Sequence, residues 1–273
     1  MKALITGGSG FIGSHIMNLF DYEFENIDIQ VDRDIRKANI KGSPKICFHL
    51  ASKCIVRDCI TTPNIAFRNN VEGTFNIMEG LRRKDVKELI LFSSSRVLSK
   101  EKNTYTASKT YAEGLAEAYW ECYGIKYKII RPSTVYGELD KTDRIIPRFI
   151  RAAFNGRPLV IYGDDKKTLD LTYIRDFMNA FKLVMDSPVW NTDYNIANGK
   201  EVNVFEIAKY VKDITGSKSE IVFRDSEVAQ PQRVKVDINK IRMLGYRPQM
   251  DWKKGVAKTI AWLKNDEELT GRN

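Results

Sequence analysis

Tyr105 and Lys109, a tyrosine and a lysine four residues apart, are the pair in this chain best suited to proton transfer. They lie in a helix-like segment, where a spacing of four places two side chains on one face. A tyrosine has an ordinary pKa of about 10 and is a poor base at neutral pH, but a neighbouring ammonium group favours its phenolate form. The pair therefore indicates general acid and base chemistry, with Tyr105 as the proton-transfer group.

A glycine-rich stretch near the N-terminus is the second feature with a chemical meaning. Gly7, Gly10 and Gly13 have the spacing G-x-x-G-x-x-G. They stand between a strand-like segment, residues 2–6, and a helix-like segment, residues 12–20, which is the context of a dinucleotide-binding turn. Glycine allows a tight turn and lets backbone N–H groups approach a pyrophosphate, whose charge a helix N-terminus favours.

The elements that must position these residues alternate along the first half of the chain. Strands are predicted at residues 2–6, 26–31, 46–51, 88–94 and 127–131. Helices are predicted near residues 12–20, 62–82 and 104–123. Alternation of this kind predicts an α/β fold, a doubly wound parallel sheet of the Rossmann type. The connection between Asp32 and His49 is shorter than the roughly thirty residues that a helix, a strand and a second helix need, so we expect an edge strand and its helices to be reduced or absent.

After about residue 140 the pattern changes to shorter elements. Helices are predicted near residues 144–155, 174–185, 203–214 and 253–265, and a strand at residues 159–161. We expect a dinucleotide-binding domain over residues 1–140, to which segments near residues 170–198 return. A smaller substrate-binding lobe is expected over residues 141–273.

Composition argues against several classes of protein. The net charge of the 273-residue chain is +9, but its basic residues are spread out, so we expect no nucleic-acid partner. No run reaches the roughly 18 apolar residues of a membrane span and none resembles a signal peptide, so we expect a cytoplasmic protein without membrane contact. Four cysteines without C-x-x-C spacing and two histidines lead us to expect no metal site.

Short motifs follow one another in a fixed order along most of the chain. They are residues 6–13, His49-Leu50-Ala51-Ser52, Asn70-Val71-Glu72-Gly73-Thr74, Ser93-Ser94-Ser95, residues 105–109, residues 131–137 and Asp237-Ile238-Asn239-Lys240. In this order they resemble the extended short-chain dehydrogenase/reductase family, the NAD-dependent epimerases and dehydratases that act on nucleotide sugars. The resemblance implies NAD as cofactor, a nucleotide sugar as substrate, and a homodimer formed through the two long helices.

The resemblance also implies roles for individual residues. Tyr105 would be the acid and base, Lys109 would also hold the nicotinamide ribose, and Ser94 would donate to the substrate oxygen, with Ser95 as the alternative serine. The residues placed against the cofactor are Gly7, Gly10, Phe11, Ile12, Gly13, Leu50, Ala51, Ser52, Asn70, Tyr105, Lys109, Pro132 and Ser133. The residues placed near the substrate are Ser94, Ser95, Thr134 and Arg233. His49 is predicted to be a buried, hydrogen-bonded structural residue.

The choice between NAD and NADP depends on the residues after the second strand. Asp32 is expected to end that strand, where an acidic side chain accepts hydrogen bonds from the adenosine ribose. Arg33 would instead hold the 2′-phosphate of NADP. In an alternative alignment of this segment with the cofactor, Asp34-Ile35-Arg36 would lie along the adenine. Asp32 favours NAD.

Around the serine cluster the chain departs from the family pattern. Val97-Leu98-Ser99 stands where the family usually has V-Y-G, and only ten residues separate Ser94 from Tyr105. The related dehydratases carry Asp-Glu at the positions of Ser95 and Arg96, and the decarboxylases carry a Glu. Neither carboxylate is present, so elimination and decarboxylation are not expected.

A second departure concerns the substrate lobe. Leu169 stands where the family has an arginine that clamps the substrate diphosphate. Arg233 then becomes the candidate for that contact, since a guanidinium binds phosphate with two donors. A surface arginine without a ligand is the alternative interpretation of Arg233.

From these observations we predict an NAD-dependent nucleotide-sugar epimerase acting at C4 through a 4-keto intermediate. One rival is an NADP-dependent reductase of keto-sugar nucleotides, which would use the same Ser94, Tyr105 and Lys109 and for which Arg33 is the best support. The other rival is a cofactor-binding protein of the family without sugar turnover. The lost arginine and short loops favour it, whereas the retained tyrosine and lysine oppose it.

Overall fold

The computed structural model describes residues 1–226, 228–231 and 235–266, and the chain divides into two compact units. Unit 1 contains Met1–Pro132 and Val184–Asn195, and unit 2 contains Ser133–Leu183 and the chain from Ile196 onward. The division comes at Pro132, earlier than the expected boundary at residue 140. The reason is that strand β6 (Thr134–Tyr136) pairs with strand β8 (Thr168–Tyr173), which belongs to unit 2.

Unit 1 is built on a six-stranded sheet. Its strands are β1 (Lys2–Thr6), β2 (Glu23–Ile27), β3 (Ile46–His49), β4 (Glu88–Phe92), β5 (Lys126–Pro132) and β9 (Thr192–Ile196). They lie in the order β2-β1-β3-β4-β5-β9, and the pairings from β2 to β5 are parallel. The α/β fold with a parallel sheet is therefore confirmed.

The helical elements of unit 1 follow the strands. They are α1 (Phe11–Leu19), α2 (Val56–Thr61), α3 (Pro63–Ala66), α4 (Gly73–Arg83) and α5 (Thr104–Tyr123), with 3₁₀ turns at Ile29–Val31 and Ser95–Leu98. A π-helical stretch, Phe67–Glu72, connects α3 to α4. The helix predicted near residues 62–82 is thus present as one helical run over residues 63–83, with a π-helical stretch inside it. α4 and α5 cover one face of the sheet, where Ile77, Leu81, Ala112 and Ala116 are buried together with strand residues.

The connection between β2 and β3 is shortened, as the sequence predicts. No helix or strand is formed between Val31 and Ile46, and β3 pairs directly with β1. Ile35 and Ile40 from this loop are buried in the core instead. They pack against Gly73 and Gly80 of α4, where an added Cβ would come within 2.5 Å and 2.8 Å of the two isoleucine side chains. These two isoleucines, packed against two glycines of α4, thus fill space in the region where an edge strand is missing.

The first turn of α5 has well-defined capping. The Asn103 side chain accepts a hydrogen bond from Thr106 N at 3.0 Å, and Thr106 Oγ1 accepts one from Asn103 N at 2.9 Å. This reciprocal capping satisfies backbone donors that have no partner within the helix. At the other end Gly124, with φ of +70°, supplies the left-handed residue that ends the helix. The helix that carries Tyr105 and Lys109 therefore has a fixed start and register.

Unit 2 contains two small sheets and five helices in its described part. Its remaining strands are β7 (Leu159–Tyr162), β10 (Glu201–Asn203) and β11 (Ile221–Arg224), with sheet orders β10-β8-β6 and β11-β7. Its helices are α6 (Ile145–Phe154), α7 (Ile174–Asp186), which crosses the division, α8 (Val204–Thr215), α9 (Asn239–Met243) and α10 (Trp252–Asn265). α6, α8 and α10 contact one another and form the core of this unit.

The turn between β1 and α1 leaves no space for side chains at its glycines. Gly7 has φ of +74°, a backbone conformation that glycine adopts without a steric penalty. A Cβ added at Gly13 would overlap the carbonyl oxygen of Gly7 and lie 2.8 Å from the Cα of Gly8. Because these neighbours are backbone atoms, they cannot move aside without opening the turn.

We expect Gly13→Ala to lower the free energy of unfolding by about 1–3 kcal/mol, the usual cost of forcing extra volume into a packed site. Gly114→Ala is the matched control, since Gly114 lies within α5 with no atom within 4 Å of an added Cβ. It should raise the free energy of unfolding by roughly 0.5–1 kcal/mol, because alanine loses less backbone entropy in a helix. Urea denaturation of both variants measures the difference, and equal effects would contradict the close packing at Gly13.

Candidate active site

Lys109 and Ser94 lie at the carboxyl end of the unit 1 sheet, and Tyr105 lies one turn before Lys109 on α5. Lys109 Nζ donates to the carbonyl oxygen of Phe92 at 2.8 Å. Phe92 is the last residue of β4, two positions before Ser94, and α5 contacts both β4 and the 3₁₀ turn after it. Tyr105 and Lys109 are each only 6% exposed. In open α/β sheets this edge is where ligands bind.

Burial sets the protonation of Lys109. Loss of solvation lowers the pKa of its ammonium to about 8, and the neighbouring Cys54 and Glu113 act in the opposite direction. The side chain is therefore still mainly protonated at pH 7, so its positive charge remains available to favour a tyrosine phenolate. The bond to Phe92 uses one of its three N–H donors, which leaves donors for a ligand hydroxyl.

The serine cluster presents hydroxyl groups just beyond β4. Ser94 Oγ accepts a hydrogen bond from Arg96 N at 3.2 Å, so its own O–H remains free to donate to a ligand oxygen. Ser95 is the first residue of the following 3₁₀ turn and is buried. Ser93 Oγ is buried and has no hydrogen-bond partner in the described part of the chain. A buried hydroxyl of this kind needs a partner, and nothing in the sequence distinguishes Ser93 from its two neighbouring serines.

The glycine turn and the loop after β3 lie side by side. Ala51 N donates to Thr6 Oγ1 at 3.1 Å, and a Cβ on Gly7 would lie 2.8 Å from Ala51 N. Leu50 N donates to Thr6 O, and Ser52 follows in the same loop. Gly10, Phe11 and Ile12 form the entry to α1. The residues predicted to contact the cofactor at these two loops therefore share one edge of the sheet.

The acidic residue after β2 is Asp28, and the prediction that Asp32 ends this strand is wrong. β2 ends at Ile27, and Asp28 follows it directly, 7% exposed. Asp28 Oδ2 accepts from Ser9 N in the glycine turn at 2.9 Å, and Oδ1 accepts from Gln30 N at 2.9 Å. A carboxylate has about four acceptor sites, so Asp28 can still accept from ribose hydroxyls. Asp32 lies farther along, exposed, at the end of the 3₁₀ turn with φ of 55°.

Arg33 is bound by its own loop. Its guanidinium donates to Glu25 Oε1 at 2.8 Å, to the Asn26 carbonyl at 3.1 Å and to the Asn39 carbonyl at 2.8 Å. These contacts close the shortened loop and oppose the alternative in which Arg33 holds a 2′-phosphate. The structure also opposes the alternative alignment in which Asp34-Ile35-Arg36 lies along the adenine. Ile35 is buried in the core, and its neighbours Asp34 and Arg36 form an ion pair.

His49 and Asn70 are buried polar residues that organise the site. His49 Nδ1 and Thr6 Oγ1 are 2.7 Å apart, and His49 Nε2 lies 2.9 Å from Thr74 Oγ1. Burial lowers the pKa of His49 to about 3, so the ring is neutral. Asn70 Oδ1 accepts from Lys53 N at 2.7 Å, and its amide nitrogen donates to Lys53 O. The predicted structural role of His49 is confirmed, and Asn70 holds the loop after β3.

The remaining predicted contacts, Pro132 and Ser133 for the cofactor and Thr134 and Arg233 for the substrate, lie at the end of β5 and in unit 2. Pro132 ends β5, whereas Ser133 Oγ bonds Thr172 Oγ1 at 2.7 Å and Asp170 Oδ1 at 3.2 Å. Thr134 begins β6 and is half-buried. Arg233 lies outside the described residues.

Within the described ranges, no three His, Cys, Asp or Glu side chains cluster as metal ligands, and no helix is long and apolar enough to cross a membrane.

The residues of unit 1 fit a dinucleotide. The glycine turn has no room for side chains and leads directly into the N-terminus of α1, whose helix dipole favours a phosphate. Asp28 offers a carboxylate directly after β2, and Lys109 offers ammonium donors at the end of β4. Different parts of such a cofactor require these different chemistries: a positive helix end for the pyrophosphate and acceptors for the adenosine ribose.

We expect Asp28→Asn to weaken NAD binding about tenfold or more, because hydrogen bonds to a charged acceptor are worth roughly 1.5–3 kcal/mol. Asp32→Asn should leave the NAD affinity within about twofold of the unchanged protein, since a twofold change is below roughly 0.5 kcal/mol. Isothermal titration with NAD and NADP measures both. A larger loss at Asp32 than at Asp28 would restore the sequence-based assignment.

The buried Lys109 also predicts a pH dependence. Its pKa of about 8 in the folded protein is below the usual value of 10.5, so between these values the unfolded chain binds more protons. Stability therefore rises with pH across this window, and the contribution is lost as the pH falls through 8. Lys109→Met should raise the free energy of unfolding more at pH 7 than at pH 10. Lys258→Met, at an exposed position of α10, is the control and should show no such difference.

Comparison with known proteins agrees with this geometry. The model of the NAD dependent epimerase/dehydratase family matches residues 3–197. A Methanocaldococcus jannaschii protein named "Putative UDP-glucose 4-epimerase" is 30% identical, and the match covers 96% of this chain and 98% of that protein.

Solved structures are similar over the same extent. The UDP-glucose 4-epimerase of Thermus thermophilus, in complex with NAD, superposes with a TM-score of 0.88 at 23% identity and covers 97% of this chain and 100% of its own. MoeE5, in complex with UDP-glucose and NAD, has a TM-score of 0.89 at 25% identity and covers 97% of this chain and 99% of its own. These findings confirm the predicted fold and NAD as the cofactor. The chain belongs to the NAD-dependent epimerase/dehydratase family.

Proposed function

We propose that this protein is a nucleotide-sugar epimerase that acts at C4 of the sugar. The observation that carries the proposal is the bond from Lys109 Nζ to Phe92 O. It joins α5 to the end of β4 and so brings an acid/base tyrosine, a buried cation and the Ser94 hydroxyl to one edge of the sheet. These three side chains are suited to remove a proton from a sugar hydroxyl while its carbon is oxidised to a ketone, and to return the proton afterwards.

Each of the three side chains has a distinct task in this proposal. Tyr105 Oη takes the proton from the sugar hydroxyl and later returns it. Lys109 supplies positive charge that favours the phenolate, and its remaining N–H donors hold a ribose hydroxyl. Ser94 donates its O–H to the oxygen on the reacting carbon, which fixes the position of that oxygen relative to Tyr105. NAD, when bound, would supply a hydride acceptor at this carbon and would return the hydride to the opposite face of the 4-keto sugar, which inverts C4 without net redox.

Relatives act on several nucleotide sugars, and the chemistry at the serine cluster favours epimerisation among their reactions. They include a UDP-glucuronate 4-epimerase of Thermodesulfobacterium geofontis, as well as a dTDP-D-glucose 4,6-dehydratase and a UDP-glucuronic acid decarboxylase. Elimination needs an additional acid and base beside the sugar. Ser95 and Arg96 have no carboxyl group for that work, whereas a C4 epimerase needs only the tyrosine, lysine and serine.

The two rival functions have less support. The reductase relies on Arg33 to recognise a 2′-phosphate, and this guanidinium is bound by Glu25, Asn26 and Asn39. The binding protein without turnover does not account for a buried Tyr105 and Lys109 beside an available serine hydroxyl. Burying a lysine costs free energy, and a catalytic role gives a reason to keep one there.

A homodimer in the cytoplasm remains part of the proposal. α4 and α5, the two long helices of unit 1, expose aromatic side chains, with Phe75 48%, Tyr111 38% and Tyr123 46% exposed. Exposed aromatic side chains on these two helices are apolar surface that a partner could cover. A second copy of the chain, presenting the same two helices, would cover them.

Tyr105→Phe should lower turnover by about 10²- to 10⁴-fold, the usual contribution of a general acid/base group, and should leave NAD affinity nearly unchanged. The assay uses UDP-, GDP-, CDP- and dTDP-sugars with NAD and separates epimers by chromatography. Tyr111→Phe, on the same helix but 38% exposed, is the control and should retain activity. A loss below threefold for Tyr105→Phe would contradict its assignment.

A further inference from the structure

Two cysteines lie on either side of the first turn of α2, after the loop that follows β3. Cys54 is exposed and Cys59 is buried. The helix begins at Val56 with Ile55 as its cap, so Cys54 stands just before the cap and Cys59 is the fourth residue of the helix. Side chains at these two positions often pack against each other across the first helical turn. The local fold therefore places the two thiols for contact.

The hydrogen bonds of this turn bring the sulfur of Cys59 back towards Cys54. Cys59 N donates to Ile55 O at 3.2 Å, which closes the turn. Cys59 Sγ donates to the carbonyl oxygen of Lys53 at 3.6 Å. Because Lys53 directly precedes Cys54, this sulfur lies next to the peptide that leads into Cys54. A disulfide needs Cα atoms within roughly 7 Å of each other, and one helical turn rises about 5.4 Å.

Two ammonium groups lie near the pair. Lys53 and Lys109 each interact electrostatically with both thiols, and Lys53 also pairs with Asp58 at 2.7 Å. Exposed thiols in electropositive surroundings are the reactive ones, which describes Cys54. Burial raises the pKa of Cys59 to about 11, and the two lysines act against this rise. Cys54 is therefore suited to react first with an external reagent, and Cys59 to react with Cys54 afterwards.

Cys59 also contacts the proposed acid/base tyrosine. Cys59, Ala66 and Tyr105 form one small buried cluster, and Val56 packs against it. The hydroxyl of Thr104, the first residue of α5, donates to the carbonyl oxygen of Cys59. A displacement of Cys59 therefore changes the contacts of the turn of α5 that carries Tyr105.

We propose that Cys54 and Cys59 are an oxidation site, where a disulfide forms and draws Cys59 away from Tyr105. The oxidant is a low-molecular-weight disulfide such as oxidised glutathione. The Cys54 thiolate attacks one of its sulfurs, forms a mixed disulfide and releases one thiolate. The Cys59 thiolate then attacks the Cys54 sulfur, forms the protein disulfide and releases the second thiolate. Two protein thiols are oxidised, one external disulfide is reduced to two thiols, and the cysteine protons pass to these through solvent.

The disulfide itself does not depend on the proposed function, whereas its effect on turnover rests on that function. To bond Cys54, the sulfur of Cys59 has to leave the Lys53 carbonyl and turn towards solvent. Its contact with Tyr105 in the buried cluster is then lost. A misplacement of about 1 Å in a catalytic site can cost roughly 10²-fold in rate, so a small shift of the first turn of α5 is enough to slow the reaction.

The test treats the folded full-length protein with oxidised glutathione and maps its disulfides by mass spectrometry. Arg57 lies between the two cysteines, so trypsin separates them, and the disulfide should join the peptides of residues 54–57 and 58–68. Cys54→Ser and Cys59→Ser should each form no joined peptide. Cys122→Ser is the matched control, because Cys122 is also an exposed cysteine; this variant should form the joined peptides as the unchanged protein does.

Amide hydrogen exchange measures the link to Tyr105 without any substrate. Exchange in residues 104–109 should become about tenfold faster in the oxidised protein, because the first turn of α5 loses packing. Dithiothreitol should reverse the change, and Cys54→Ser should show none. Turnover of a nucleotide sugar should fall by roughly 10- to 100-fold on oxidation and recover with the same reductant.

The outcomes separate the disulfide from the proposed function. If oxidised glutathione modifies Cys122 in the unchanged protein but no joined peptides form, the disulfide is overturned. Joined peptides without faster exchange in residues 104–109 would overturn the link to Tyr105. If the reduced protein turns over no nucleotide sugar, the proposed function fails, while joined peptides and faster exchange would still support the oxidation site.

Discussion

A chain of buried hydrogen bonds links the strands of unit 1 to the helix that carries the proposed acid/base group. In the register of the sheet Thr6 of β1 stands opposite His49 of β3. The Thr74 hydroxyl donates to Asn70 O at 2.6 Å, so His49 Nε2–H must donate to Thr74, and Nδ1 must accept from Thr6. One neutral tautomer thus satisfies every group, which is the condition for keeping a polar chain in an apolar core.

The same chain continues to α5 and fixes where it lies. The Asn70 amide donates to Ser108 Oγ at 3.0 Å, and the Ser108 hydroxyl donates to the Tyr105 carbonyl at 2.7 Å. Asn70 belongs to the π-helical stretch, a rare local geometry that often occurs at functional sites. Its side chain also holds the backbone of Lys53. The loop after β3 and the first turn of α5 are therefore positioned by one buried amide.

The sequence predicts the elements of unit 1 well because their signals are local and strong. Helix α5 is predicted over residues 104–123 and is formed over Thr104–Tyr123, because an asparagine cap and a glycine stop flank a long helix-forming run. β3 and β4 are buried on both faces and read as continuous apolar runs. The helix predicted near residues 62–82 is formed as one helical run over residues 63–83, but its π-helical stretch, Phe67–Glu72, is not predicted.

The error at Asp32 shows where apolar patterning misleads. β2 is at the edge of the sheet, so most of its residues are exposed or half-buried and only Ile27 is fully buried. The next apolar residues, Ile29 and Val31, are 75% and 49% exposed and form a 3₁₀ turn. Apolar patterning extends the strand through them and shifts its end from Asp28 to Asp32. What identifies Asp28 is its bond to Ser9 N in the glycine turn, a contact between residues distant in sequence.

Where the chain departs from the family pattern, nearby residues take the place of the missing element. Where the edge strand is missing, Ile35 and Ile40 enter the space above Gly73 and Gly80, so the sheet keeps its cover with a short loop. The loop is closed by Arg33, whose guanidinium binds Glu25, Asn26 and Asn39.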